Sequence, residues 1–204
     1  MLEELEIGYT LKTYKRDPVT IRAPGTLKKV HPLGKAPVLE VDGKGYAESG
    51  AILEHCVEVL GEGRFQPERA TEAFDRYRYW MHYAEGSLMP PLLVRLLMSK
   101  VRSAPLPFFI KPVAKGIVAK VEAAFTSPEL ERHAAFIEAH LSEYPFFAGD
   151  TFTAADVQMS YPVEAMLARG NVQTAQTKTR AWFQAMSTRP GYVRAAEKGG
   201  PVML

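Results

Sequence analysis

The sequence predicts a small mixed α/β domain followed by an all-helical one, and three observations carry that prediction. Residues 37–48 read as strand, tight turn and returning strand, with an amphipathic helix starting directly behind them. "GEGRFQPERA", residues 61–70, reads as a linker. Beyond it the hydrophobic period becomes helical and stays so. The two domains are therefore expected at 1–62 and 68–204.

Taken in order, "MLEELEI" (1–7) reads as a short helix with Leu2, Leu5 and Ile7 apolar and Gly8 as its stop. "YTLKTY" (9–14) alternates and predicts a strand. The polar segment from Lys15 to Gly34 reads as a loop with one helical turn at 25–30. "PVLEV" (37–41) and "YAE" (46–48) are strands joined by "DGKG". In "SGAILEHCVEVLG", Ile52, Leu53, Cys56, Val57 and Leu60 give an apolar face and Gly61 a stop. The helices that follow are expected at 68–100, kinked or broken at Pro90-Pro91, at 107–126, at 128–143, from Thr153 to Gly170 with Pro162 inside, at 175–187 and at 190–198.

Composition narrows the function classes. Hydrophobic residues make up 47% and charged residues 24%, as in an ordinary globular protein. The formal net charge of +2 with scattered basic residues gives no strong field for nucleic acid or an anionic membrane. No apolar run has the length of a membrane span. The single cysteine, Cys56, excludes an internal disulfide and fits a reducing compartment, so a cytoplasmic protein is expected. No secretory leader pattern is present.

The densest chemical signal is "HPLGKAPVLEVDGKGYAESGAILEH", residues 31–55. A cis bond before Pro37 would leave the Ala36 N–H and C=O pointing outward, one donor and one acceptor for an extended ligand. A trans proline at a strand start is the other reading. Ser49 stands where an N-cap belongs, and a cap hydroxyl with the free N–H groups of a first turn binds carboxylates. Glu48 could bond an ammonium group and Lys35 a second carboxylate. Singly, each also reads as a plain cap or a solvated charge. Together they describe one ligand: a short peptide with a free α-amino acid end and a far carboxylate.

That stretch resembles the glutathione site of the glutathione transferases, which join a thioredoxin-like domain to a helical one. "YKRDP", "LKKVHPLGKAPVLEV" and "EGSLMPPLLVRLLMSKV" further resemble the yeast-type fungal branch. The resemblance implies glutathione as co-substrate, with no permanently bound cofactor and no metal. It places Ala36 against the cysteinyl unit with Pro37 as the cis proline, Glu48 and Ser49 on the γ-glutamyl end, and Lys35 on a carboxylate. It implies a homodimeric detoxification enzyme conjugating glutathione to small hydrophobic electrophiles, with peroxide reduction as a second activity. Tyr83 and Met89 fall where the family borders its electrophile pocket. Thr153 and Asp156 in "FTAADVQMS" match the family's capping box in the helical domain, a folding device with no chemistry.

The family's thiolate-stabilising tyrosine, serine or cysteine follows a first strand and opens the first helix. "LEEL" at 2–5 resembles the later part of that helix, so the catalytic residue is expected upstream of Met1, with the thioredoxin-like domain short of its first strand. Tyr9 and Thr10 read as strand residues, and Cys56 as a buried, inert thiol. A non-catalytic glutathione- or ligand-binding protein of the same fold is therefore the alternative. His133 and His140 lack companion ligands for a metal and read as solvated.

Overall fold

A computed structural model describes residues 1–15, 17 and 24–200. Arg16 and Pro18 of "YKRDP", and most of the expected loop between them and Pro24, lie outside the described residues. The chain forms two compact units, Met1–Gln66 with Arg189–Val202 and Pro67–Thr188 with the last two residues. The segment 189–202 thus groups with the first unit, although the sequence placed it with the helical part.

In the first unit, β1 (Val38–Val41) and β2 (Lys44–Ala47) form an antiparallel hairpin in the register Val38 with Ala47 and Val41 with Lys44. Asp42 (φ 49°) and Gly43 (φ 77°) make the two-residue turn. Positive φ at both central positions matches the twist of the flanking strands, which is why Asp-Gly is favoured there. The helix α1 (Ser49–His55) follows, continues as a wider π-type turn over Cys56–Leu60 and stops at Gly61. The Tyr46 ring stacks on His55 with centroids 3.9 Å apart, which ties β2 to α1. Leu5, Leu27, Leu53, Cys56 and Val57 form this unit's core.

Two expectations fail at the start of the chain. Residues 9–14 are not a strand, because no described segment offers them a ladder partner; the hairpin is the whole sheet among the described residues. The first residues make a turn rather than a helix, and it ends at Glu6 (φ 59°) rather than Gly8. Ionic contacts hold this turn instead. Glu4 takes a bidentate pair from Arg189 at 3.0 and 2.8 Å, and Glu3 receives Arg194 at 3.0 Å and Lys198, the last two from α8 (Pro190–Gly199). The expected turn at 25–30 is a 3₁₀ turn, Gly25–Lys29.

Among the described residues the extended elements of the second unit are all helices. The long helix expected at 68–100 is α2 (Glu72–Tyr83) and α3 (Met89–Ser103), joined by a π-type turn over Ala84–Leu88. The interruption precedes Pro90 and Pro91, which occupy the first turn of α3, where a missing N–H is harmless. α4 (Lys111–Val121) and α5 (Ser127–Glu143) are joined in the same way over Glu122–Thr126, and α6 (Ala154–Arg169) and α7 (Thr177–Ser187) complete the unit. Trp80, Leu88, Leu130, Ile137, Phe147, Met159 and Val163 are its core.

Its polar centre is Asp156. The carboxylate accepts from the N–H groups of Thr153 (2.9 Å) and Phe147 (3.0 Å), the Thr153 hydroxyl (3.2 Å) and the Trp182 indole (3.0 Å). Thr153 caps α6, its hydroxyl accepting from Ala155 N–H at 3.3 Å, so the capping box is formed. Burial pushes the Asp156 carboxyl up to about 6 against the pull of these four donors. His133 and His140 are half-buried and hydrogen-bonded within the protein, not simply solvated. His133 Nδ1 is hydrogen-bonded to the Tyr83 hydroxyl, and His140 Nε2 lies 3.1 Å from the Phe147 carbonyl. Burial lowers both imidazole pKa values. Seven residues apart on α5, they are half-buried on a face that also carries the exposed Phe136.

Candidate functional site

The hairpin register sets Val38, two residues after Ala36, opposite Ala47, directly before Glu48 and Ser49. Gly34 (φ 59°) turns the chain at the start of the motif of residues 31–55, its N–H bonded to the His31 carbonyl at 2.8 Å. A Cβ at Gly34 would lie 2.9 Å from Lys28 Cγ, so the position also needs glycine for space. Lys35 and Ala36 follow, and the Ala36–Pro37 bond is cis. Ala36 is exposed and precedes the ladder, which begins at Val38. Its N–H and C=O have no backbone partner among the described residues. One rung's worth of donor and acceptor is open at the edge of β1.

The other half of the site is the passage from β2 into α1, and it corrects the expected cap. Ser49 is the first helical residue, not the N-cap. Glu48 occupies the capping position with φ 71° and ψ 123°, and no side chain caps the helix. A non-glycine residue with positive φ is unusual and costs on the order of 1–3 kcal/mol, so its surroundings hold it there. The first intrahelical bond runs from Ile52 N–H to the Glu48 carbonyl at 2.9 Å. The N–H groups of Ser49, Gly50 and Ala51 precede it and remain for another acceptor. Glu48 is exposed and Ser49 half-buried. Among the described residues neither Glu48 nor Lys35 has an ion-pair partner. The arrangement offers a carboxylate for an ammonium group, N–H and hydroxyl donors for a carboxylate, and a backbone rung for a peptide.

Among the described residues of this unit no thiol-activating group stands out. Cys56 is buried, and burial pushes its thiol up. Tyr9 is raised by burial and by its bond to Glu3, with Lys198 over its ring at 4.9 Å. Both shifts run away from ionisation.

In the second unit, Asp75, Arg78, Tyr79, His82, Tyr83, Gly86 and Ser87 line an open groove of about 640 Å³ along α2. Tyr83 lines it although the residue is buried, and its hydroxyl pairs with His133. Burial drives that hydroxyl's pKa upward. Met89 is half-buried and does not line the groove.

Sequence profiles for the glutathione S-transferase N-terminal and C-terminal domains match residues 1–59 and 102–190. Glutathione S-transferase 3 of Schizosaccharomyces pombe is 36% identical over 97% of this chain and 81% of its own length. Glutathione S-transferase 1 of Saccharomyces cerevisiae is 30% identical over 97% and 88%. Among solved structures, a glutathione S-transferase from Actinobacillus pleuropneumoniae superposes with a TM-score of 0.76 at 29% identity, over 97% of this chain and 84% of that one. A sphingomonad glutathione S-transferase, solved in complex with glutathione, shares the fold at TM-score 0.70 and 18% identity, over 98% and 92%. With two yeast relatives matched over nearly its whole length and both domain profiles in order, the chain belongs to the glutathione S-transferase family.

Proposed function

We propose that the protein binds glutathione along the Ala36 edge and conjugates its thiolate to small hydrophobic electrophiles, with peroxide reduction as a second activity. The observation that carries this reading is the set of exposed Lys35, Ala36 and Glu48 with half-buried Ser49 on one hairpin-to-helix unit, with no competing ion-pair partner for its charges among the described residues. The cysteinyl N–H of the tripeptide donates to the Ala36 carbonyl, and its carbonyl accepts from the Ala36 N–H. The γ-glutamyl ammonium meets Glu48, and its carboxylate takes the Ser49 hydroxyl and the first-turn N–H groups, favoured also by the helix dipole. Lys35 holds the glycyl carboxylate. Tyr83 and Met89 are proposed for the electrophile side. A cytoplasmic homodimer is part of the proposal, with the exposed rings of Tyr79 and Phe136 as an apolar contact for a second copy.

Retention on immobilised glutathione with turnover of a chloronitrobenzene acceptor is the test. Glu48→Ala and Ser49→Ala are expected to abolish retention, and unchanged retention would refute the site. The raised Tyr9 and Cys56 pKa values favour one other reading, in which this chain holds glutathione without turnover. Retention with no conjugation by the wild-type chain would establish it.

A further inference from the structure

Between Gly86 and Val121 the sequence contains six Lys or Arg residues and not one Asp or Glu. The whole chain carries +2, so this positive block is offset by acid elsewhere. The block is the α3–α4 pair, whose helices pack against each other and meet at the loop 104–110. Arg95 is buried, and Arg102 pairs with Glu122. Lys100, Lys111, Lys115 and Lys120 are exposed, with no ion-pair partner among the described residues.

The same hairpin exposes its largest apolar side chains. Phe108 is 84% exposed and Phe109 65%, their rings set edge to face at 5.5 Å at the tip. Leu97 and Val101 on α3 and Val113 and Ile117 on α4 extend this apolar surface up both helices, each pair one turn apart and exposed. Exposed rings at a tip with lysines next to it in the chain, Lys100 beside Val101 and Lys111 beside Ile110, are what an anionic lipid surface recognises: the rings enter the headgroup boundary while the ammonium groups stay among the phosphates. A second copy of this chain is a poor occupant, because a two-fold contact over this face would set cations against cations. No helix among the described residues is long and apolar enough to cross a membrane, so the contact is peripheral.

We propose that the α3–α4 tip docks the protein on anionic membranes, with Phe108 and Phe109 inserted and Lys100, Lys111 and Lys115 contacting the headgroups. The test is cosedimentation of the full chain with phosphatidylcholine vesicles with and without phosphatidylserine. Binding is expected only with phosphatidylserine and is expected to weaken as salt rises. Lys111→Ser with Lys115→Ser is expected to lower vesicle affinity roughly 25-fold, from about fivefold per surface cation. Phe108→Ser with Phe109→Ser is expected to abolish binding while leaving retention on immobilised glutathione and the melting temperature unchanged. No cosedimentation, equal binding to pure phosphatidylcholine, or an oligomeric state altered by the phenylalanine variant would overturn the proposal.

Discussion

Glu48 is asked for two things that one substitution separates. Its backbone sits at φ 71°, and its carboxylate faces solvent beside Ser49. Glu48→Gly is predicted to leave the melting temperature equal or higher, since glycine adopts that conformation freely, while glutathione binding weakens roughly ten- to a hundredfold. A melt and a binding titration on the same sample check both halves. For Ala36 the informative change lies on the ligand. Glutathione methylated at the cysteinyl nitrogen cannot donate to the Ala36 carbonyl and is predicted to bind about fivefold more weakly, one neutral hydrogen bond's worth. The cis bond at Pro37 and the exposure of Lys35 and Glu48 agree with what the sequence suggested for this stretch, and the ligand chemistry of Lys35, Glu48 and Ser49 is the proposal built on them. Which residue caps the helix was not legible, because that depends on a dihedral angle at Glu48 that glutamate does not signal.

Elements with local causes were read correctly, and those needing distant partners were not. Asp42-Gly43 dictated its hairpin, and Thr153 and Asp156 dictated the start of α6. Residues 9–14 alternate as a strand should, yet pairing needs a neighbour that alternation cannot supply. The fate of Glu3 and Glu4 was likewise hidden, since their partners Arg194, Lys198 and Arg189 lie almost a whole chain away. The hydrogen bond from Lys198 leads in holding the Glu3 carboxyl down at about 2, below its ordinary 4.5. A depressed folded value means this contribution is full above pH 4.5 and is lost as pH falls towards 2. Melting temperature is therefore predicted to drop across that window, and Glu3→Gln to remove part of the drop while lowering stability at neutral pH. Asp156→Ala would strand the N–H groups of Phe147, Thr153 and Trp182 in the core. It is predicted to cost about 3–5 kcal/mol in urea denaturation.

Across the whole molecule, totals conceal placement. A net charge of +2 argued against any strong field, but the acid-free run from Gly86 to Val121 concentrates positive charge on one hairpin. Likewise, one unit carries all of the groups proposed for glutathione in the motif of residues 31–55, while the second carries the groove along α2. On the proposed reading, binding of the tripeptide is a property of Met1–Gln66 with its returning helix and does not require the thiol to be activated. Calorimetric titration of glutathione into the wild-type chain and Glu48→Gly tests this most directly. Saturable one-to-one binding by the wild type is expected, with an affinity at least tenfold weaker in a variant that melts no lower; equal affinities would refute a role for the Glu48 carboxylate in holding glutathione.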